Sequence, residues 1–321
     1  MTYSQPEQLY PNLKPKVIAP FVSVVVPVYN NAEHLQTCLA ALERQTYRSD
    51  RYEVIVVDNG SDPDCNIAAI AATFNHVVIT EELTSGSYIA RNKGIAIATG
   101  EIIAFTDSDC IPTPTWLEKG VNHLLNNPEC GLVAGRIDIF FQDPAHFSAI
   151  EFYDGVTMGF PQREFLEKRR AGLTANVFTW KRVIDQVGAF KGEIKSHGDL
   201  EWGKRVFASG YAQIYADDAC VGHPARHSFK ELLNRAIRLA GGSYDLHVKQ
   251  ERSLWRRNKK FLRLLADDLI CHLGKTVADT IRDSRLHPLD KKLKVLGLVI
   301  LMKYVAALEK IRLKCGGKSR R

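Results

Sequence analysis

Asp107 and Asp109 stand two positions apart, directly after the apolar run Ile102–Thr106. Where a buried strand gives way to a loop, two carboxylates supply the hard oxygen ligands that Mg2+ or Mn2+ takes alongside substrate phosphates. By itself an Asp-x-Asp tripeptide is as easily a solvated loop. Its position before Ile111-Pro-Thr-Pro-Thr-Trp116 strengthens the metal reading. Asp58-Asn-Gly-Ser61 has turn composition, and it also offers a strand-end carboxylate that could accept hydrogen bonds from a base or ribose edge. Neither G-x-G-x-x-G nor G-x-x-x-x-G-K-[ST] occurs, which argues against dinucleotide and P-loop chemistry.

The elements that would position these groups are legible in the pattern. Val22-Ser-Val-Val-Val-Pro-Val28 and Val54–Val57 are β-branched runs of the kind buried on both faces of a sheet. A strand is expected at His76–Thr80 and another at Ile102–Thr106, with helices through Leu35–Leu42, Ile67–Thr73 and Tyr88–Ala98. Asn30 is placed to cap the first helix and Gly100 to close the third. This alternation predicts an α/β fold, a doubly wound, mainly parallel sheet flanked by helices. Ligands of such sheets bind beyond the carboxyl ends of the strands, where Asp58, Asp107 and Asp109 all fall. After about residue 225 the pattern turns helical, with helices expected at Phe229–His247, Leu254–Leu273, Thr276–Arg285 and Leu293–Leu313.

Composition sets the outer bounds. The 321 residues are 45% hydrophobic and 25% charged, which excludes disordered and collagen-like chains. The longest relevant uncharged stretch, Val295–Met302, falls far short of a spanning helix. The polar, Pro-rich N-terminus has no apolar core of a signal peptide, so a cytoplasmic protein is expected. Seven scattered Cys without metal spacing read as reduced packing thiols. The net charge of +7 hides a split: from Pro224 onward 24 Lys and Arg face 9 Asp and Glu, a net of +15, whereas residues 1–223 carry −8. A basic tail of that strength suggests an anionic surface.

Four motifs carry a resemblance: Val22-Ser-Val-Val-Val-Pro-Val-Tyr-Asn30, Val54-Ile-Val-Val-Asp-Asn-Gly-Ser61, Ala90-Arg-Asn-Lys-Gly94 and Phe105-Thr-Asp-Ser-Asp109. In order and at this spacing they resemble the nucleotide-binding half of family 2 glycosyltransferases, which have the GT-A fold. Gly198-Asp-Leu-Glu-Trp-Gly-Lys-Arg205 and Val221-Gly-His-Pro-Ala-Arg226 resemble that family's acceptor-side helix and closing loop. The resemblance covers roughly residues 21–227. It divides the chain into an N-terminal arm (1–20), a GT-A domain (21–227) and a basic helical extension (228–321).

What the resemblance implies is an inverting transfer of a sugar from a nucleotide-sugar donor; the acceptor expected is a saccharide, or a lipid-linked one if the basic tail meets a membrane, in cell-surface or extracellular polysaccharide synthesis. Pro27, Tyr29 and Asp58 would border the base and ribose, and Arg91 would face the nucleotide. Asp107 would contact ribose or sugar. Asp109 would hold the divalent cation, Mn2+ or Mg2+, with His223 beside it. Asp199 would be the general base that takes the acceptor hydroxyl proton, with Glu201 a rival. Without the family context, Asp199 and Glu201 read as a charged first turn complementing a helix dipole, and His223 as a structural histidine. The chain departs from the family pattern with Gly198 where many relatives have Glu, and with Asn59 where a second Asp is common. Trp116, Trp180 and Trp202 could stack on sugars, although core packing is expected for at least two of them.

The tail's last helix places Lys292, Lys303, Lys310 and Lys314 within about 40° of one another at roughly 100° per residue. Leu293, Ile300, Tyr304, Leu308 and Ile311 fall opposite. Two readings stay open: a helix lying in an anionic membrane interface, peripheral at the inner face of the cell membrane, or one packed on the body or a dimer partner with its lysines solvated. No nucleic-acid module is present, and no nucleic-acid partner is expected. Two other functions fit the same fold. One is a nucleotidyltransferase making nucleotide sugars, which Pro27-Val-Tyr-Asn30 disfavours because a Gly-rich basic loop is expected there. The other is a catalytically silent GT-A assembly factor.

Overall fold

The computed structural model describes residues 19–283 and 289–320. The N-terminal arm up to residue 18 lies outside them. The first half alternates strictly: β1 (Val22–Val28), α1 (Ala32–Glu43), β2 (Tyr52–Asp58), α2 (Ile67–Ala71), β3 (Val77–Glu81), α3 (Ser87–Ile97) and β4 (Ile102–Thr106). There follow β5 (Ile111–Pro112), α4 (Trp116–Leu125), β6 (Cys130–Phe140), α5 (Ala149–Met158), α6 (Gln162–Arg169) and β7 (Asn176–Trp180). Then come α7 (Lys181–Val187), α8 (Gly198–Ala208), β8 (Ala212–Pro224) and the helices α9 (Phe229–Tyr244), α10 (Leu254–Ala266), α11 (His272–Arg282) and α12 (Leu289–Lys314).

The eight strands of the described residues form one sheet, ordered β3-β2-β1-β4-β7-β6-β8-β5. The strands β3, β2, β1 and β4 run parallel, with Val24 opposite both Val54 and Ala104. β7 enters antiparallel between β4 and β6, β8 returns parallel to β6, and β5 adds an antiparallel edge. The sheet is therefore α/β and mixed, parallel where the strands end in Asp58 and Asp107. Val22, Val24, Val25 and Val26 are wholly buried, as an uninterrupted β-branched run requires when both faces are covered. The ladder between β1 and β4 ends at Val25. Pro27, which has no N–H to donate, comes just after that point.

Two of the expected caps serve other ends. α1 starts at Ala32, and Asn30 adopts a left-handed backbone (φ +47°). Its side chain instead ties β1 to the turn after β2, donating to Asp62 Oδ2 at 2.8 Å and accepting from the Asp62 N–H at 2.7 Å. Gly100 lies past the end of α3, where a Cβ would come within 2.5 Å of the Ser23 nitrogen. Glycine is there for the close backbone approach, not for a helix terminus. Further on, the helical run expected to break between Leu273 and Thr276 is interrupted earlier, by a π-helical turn at Asp267–Cys271.

The C-terminal helices pack on the body. Phe152 and Tyr153 of α5, Leu232 of α9 and Val295, Val299 and Met302 of α12 form a second core, each side chain nearly or fully buried. Burial of this kind contributes about 1.5–3 kcal/mol per large side chain. This packing turns α12 opposite to a helix with solvated lysines. Lys310 is buried in an ion pair with Asp268, and Lys303 is partly buried, whereas Leu293, Ile300, Tyr304, Leu308 and Ile311 are exposed. Among the described residues, no helix is long and apolar enough to cross a membrane.

Candidate active site

A cleft of about 770 Å³ opens beyond the carboxyl ends of β1 and β4. Pro27 and Tyr29 line it from β1, Arg91 from α3, Asp107 and Asp109 from the end of β4, Asp199 from α8 and His223 from β8. Seven of the eight residues singled out in the sequence thus share one cavity. The eighth, Asp58, stands at the end of β2 but is not among the lining residues. Its carboxylate accepts the Ser61 N–H at 3.0 Å and so holds the turn.

Asn59 follows it into the cleft wall, 2% exposed. Its side-chain N–H2 group donates to the carbonyls of Glu82 (2.6 Å) and Thr84 (2.8 Å), and its oxygen accepts the Gly86 N–H (2.9 Å). An aspartate could not donate to those two carbonyls. The departure from a second Asp therefore has a local cause, the seating of the loop that leads into α3.

Arg91 is 3% exposed and ion-paired with Asp107. It also donates to the Ser87 carbonyl at 3.4 Å, and its guanidinium lies 5.6 Å from the Tyr88 ring centre. Its buried Nε has no partner among the described residues. The pair sets a fork of donors and one carboxylate at the head of β4.

Asp109 and His223 meet at 3.6 Å, carboxylate Oδ2 to ring Nε2. A carbonyl oxygen only accepts, so the 2.8 Å contact to Pro224 O makes Nδ1 of His223 the protonated nitrogen. In the neutral ring Nε2 then presents a lone pair toward Asp109. The other carboxylate oxygen, Asp109 Oδ1, is buried without a hydrogen-bond partner among the described residues. Burial works against ionisation of Asp109, but the charge His223 carries when its ring is protonated, and then that of Arg226, outweigh it and hold the carboxyl below its ordinary value. Ligand atoms of Asp109, Cys110 and His223 lie within 4.8 Å of one another. Burial pushes the Cys110 thiol well up, and a protonated sulfur is a poor partner for a hard cation. The donor set that fits a divalent cation is thus the orphaned Asp109 oxygen and His223 Nε2.

Across the cleft, Asp199 is 9% exposed at the start of α8. It accepts the Tyr88 hydroxyl at 3.1 Å and the Leu200 N–H at 2.9 Å. Burial raises its pKa above the ordinary aspartate value, against the lowering effect of these bonds and of Arg91. Gly198 makes the Tyr88 contact possible, since a Cβ there would lie 2.7 Å from the Tyr88 ring. Glu201 points elsewhere: it pairs with Lys191 (2.8 Å) and Arg205 (3.0 Å) and is not in the cleft lining. Trp116, Trp180 and Trp202 are all buried and none lines the cleft.

The structure also adds residues that were not singled out. Tyr88, Lys195, His197, Arg235 and Arg238 line the cleft, and Arg226 joins them from the segment between β8 and α9. Arg235 and Arg238 are one helical turn apart and so share a face of α9. Spacing gives that much, but which way the face points depends on how α9 packs.

Comparison with known proteins follows the same line. The family Glycosyl transferase family 2 matches residues 23–187. Glycosyltransferase AglE of Haloferax volcanii is 40% identical over 240 residues, spanning 74% of this chain and 77% of AglE. The pre-mycofactocin glycosyltransferase of Mycobacterium tuberculosis is 27% identical over 234 residues, 71% of this chain and 48% of that protein. Among solved structures, the mannosyltransferase PcManGT from Pyrobaculum calidifontis, in complex with GDP-Man and Mn2+, matches with a TM-score of 0.59 at 19% identity, covering 94% of this chain and 89% of that one. The fold is GT-A, and the chain belongs to the family 2 glycosyltransferases.

Proposed function

We propose that this glycosyltransferase carries out a metal-dependent, inverting transfer of a sugar from a nucleotide-sugar donor to a saccharide or lipid-linked acceptor, in the assembly of a cell-surface or extracellular polysaccharide. The observation that carries the reading is one cleft with Asp109 and His223 on one wall and a buried carboxylate of raised pKa, Asp199, on another. Asp109 and His223 would hold a divalent cation, Mn2+ or Mg2+. When bound, the cation supplies the positive charge that stabilises a departing nucleoside diphosphate. Mn2+ is the ion in the complex of the Pyrobaculum protein.

The chain's own residues do the rest. Pro27 and Tyr29 border the base and ribose, with Asp58 fixing the turn beside them. Arg91 orients Asp107 toward the ribose and sugar. Asp199 takes the proton of the acceptor hydroxyl as that oxygen attacks the anomeric carbon. Its raised pKa brings it nearer to working pH, and Tyr88 fixes its direction. A single displacement from the face opposite the leaving group inverts the anomeric centre.

Peripheral attachment at the cytoplasmic face of an anionic membrane belongs to the same proposal. Its support is the exposed apolar stripe of α12 on a segment of net charge +15. A thermal-shift screen of nucleoside diphosphates with and without Mn2+ tests the donor reading, because a ligand of the folded state raises apparent stability. Metal-dependent stabilisation by at least one nucleotide is expected. Asp199→Asn should keep that binding and lose transfer.

A further inference from the structure

The acceptor side of the cleft holds more positive charge than its carboxylates pair. Asp154, wholly buried on α5, serves two arginines at once. It accepts from the Arg226 backbone N–H at 3.0 Å, from Arg226 Nη1 at 3.3 Å and from Arg235 Nη1 at 2.7 Å. Arg235 is 7% exposed, and its buried Nε has no partner among the described residues. Arg238, one turn along α9, makes no hydrogen bond or ion pair among the described residues, and burial and then Arg226 disfavour its charge. Among the described residues, Lys195 Nζ, also in the lining, meets only the Ser85 carbonyl, at 2.5 Å.

Cations held against one another in a partly desolvated wall cost stability unless an anion compensates them. The placement says where that anion would sit. α9 is drawn onto the segment before α8 so closely that a Cβ on Gly242 would fall 2.5 Å from Ser196 Cβ. Arg238 therefore faces the start of α8, and Asp199 is among the charges that act on it. Arg91, on α3, already has Asp107 at the end of β4 as its counter-charge.

We propose that Arg238, with Arg235 and Lys195, binds an anionic group of the acceptor, a carboxylate or phosphate carried within about one sugar of the attacking hydroxyl. This rests on the reading of Asp199 as the base that faces the acceptor. It makes α9, which lies beyond the nucleotide-binding half of the chain, a wall of the acceptor site and selects acidic over neutral acceptor sugars.

The test uses the full chain with Mg2+ and whichever nucleoside diphosphate it binds, and saturation-transfer NMR of three probes: glucuronate, glucose 6-phosphate and glucose. At least one acidic probe should bind where glucose does not. Glucuronate alone assigns a carboxylate, glucose 6-phosphate alone a phosphate, and either supports the site. Arg238→Gln should weaken acidic-probe binding by roughly tenfold or more. Arg238→Lys should keep part of it, and nucleotide affinity should be unchanged in both. Equal binding of all three probes overturns the proposal. So does an Arg238→Gln variant that loses nucleotide affinity as strongly as probe affinity, because the cation would then serve the donor diphosphate. If no nucleotide binds the wild type, the donor reading fails instead, and the probes still report on the arginines.

Discussion

The Tyr88 hydroxyl donates to Asp199 Oδ1 at 3.1 Å, joining the second residue of α3 to the second residue of α8 across 111 positions of sequence. The two helices that carry Arg91 and Asp199 are thereby fixed to each other, and a carboxylate in a buried wall gets a defined direction. Gly198 is the condition for the contact, since a side chain there would occupy the ring's place.

Removing that hydroxyl tests the role of Asp199. A general base works only when deprotonated, so activity should fall as pH drops through the raised pKa of Asp199. The Tyr88 bond favours the charged form, and in Tyr88→Phe the carboxyl should titrate higher still. The acid limb of kcat/KM should move up by about one pH unit, the scale of one hydrogen bond to a charged group. A limb that stays in place in an otherwise folded Tyr88→Phe enzyme argues that another group is the base.

Asn59→Asp should destabilise the fold by about 2 kcal/mol at neutral pH, because it turns a carboxylate toward the Glu82 and Thr84 carbonyls and leaves both without a donor. The sign with pH follows from that repulsion. The new carboxyl would titrate above its unfolded value, so the deficit should be small in acid and grow as pH rises through the folded-state pKa. Urea midpoints at two pH values give the check. A variant as stable as wild type at neutral pH would mean that the loop does not depend on this amide.

For the tail, exchanging Ile300, Tyr304 and Leu308 for Asp should abolish co-flotation of the full-length protein with vesicles containing about one-third anionic lipid. Melting temperature should be nearly unaffected, since all three side chains are exposed. Lys310→Ala should do the reverse, lowering stability because it strands Asp268 beside a buried site. Recovery of the triple variant with vesicles at the wild-type level would remove the membrane reading.

Much of the parallel half of the fold is legible in the sequence, because β-branched runs buried on both faces, as in β1 and β2, have no amphipathic rival. The carboxylates at strand ends are legible for the same reason. Less accessible is whatever long-range packing decides. Asn30 reads as a cap until Asp62 is seen to complete its hydrogen bonds. The α12 lysines look solvated on a helical wheel, yet Asp268, 42 positions away, draws Lys310 inward and leaves the leucine side exposed. Tyr88, Arg235 and Arg238 carry no local mark of function, because their place in the cleft depends on how α3, α8 and α9 dock.

The central claim is a nucleotide site whose metal is held by Asp109, and calorimetry with wild type and Asp109→Ala tests it most directly. With Mn2+ the wild type should bind a nucleoside diphosphate, and chelation should weaken that binding by roughly tenfold or more, the scale of removing a buried charge partner. Asp109→Ala should bind as weakly as chelated wild type at the same melting temperature. A variant that keeps full, metal-dependent affinity would contradict the account.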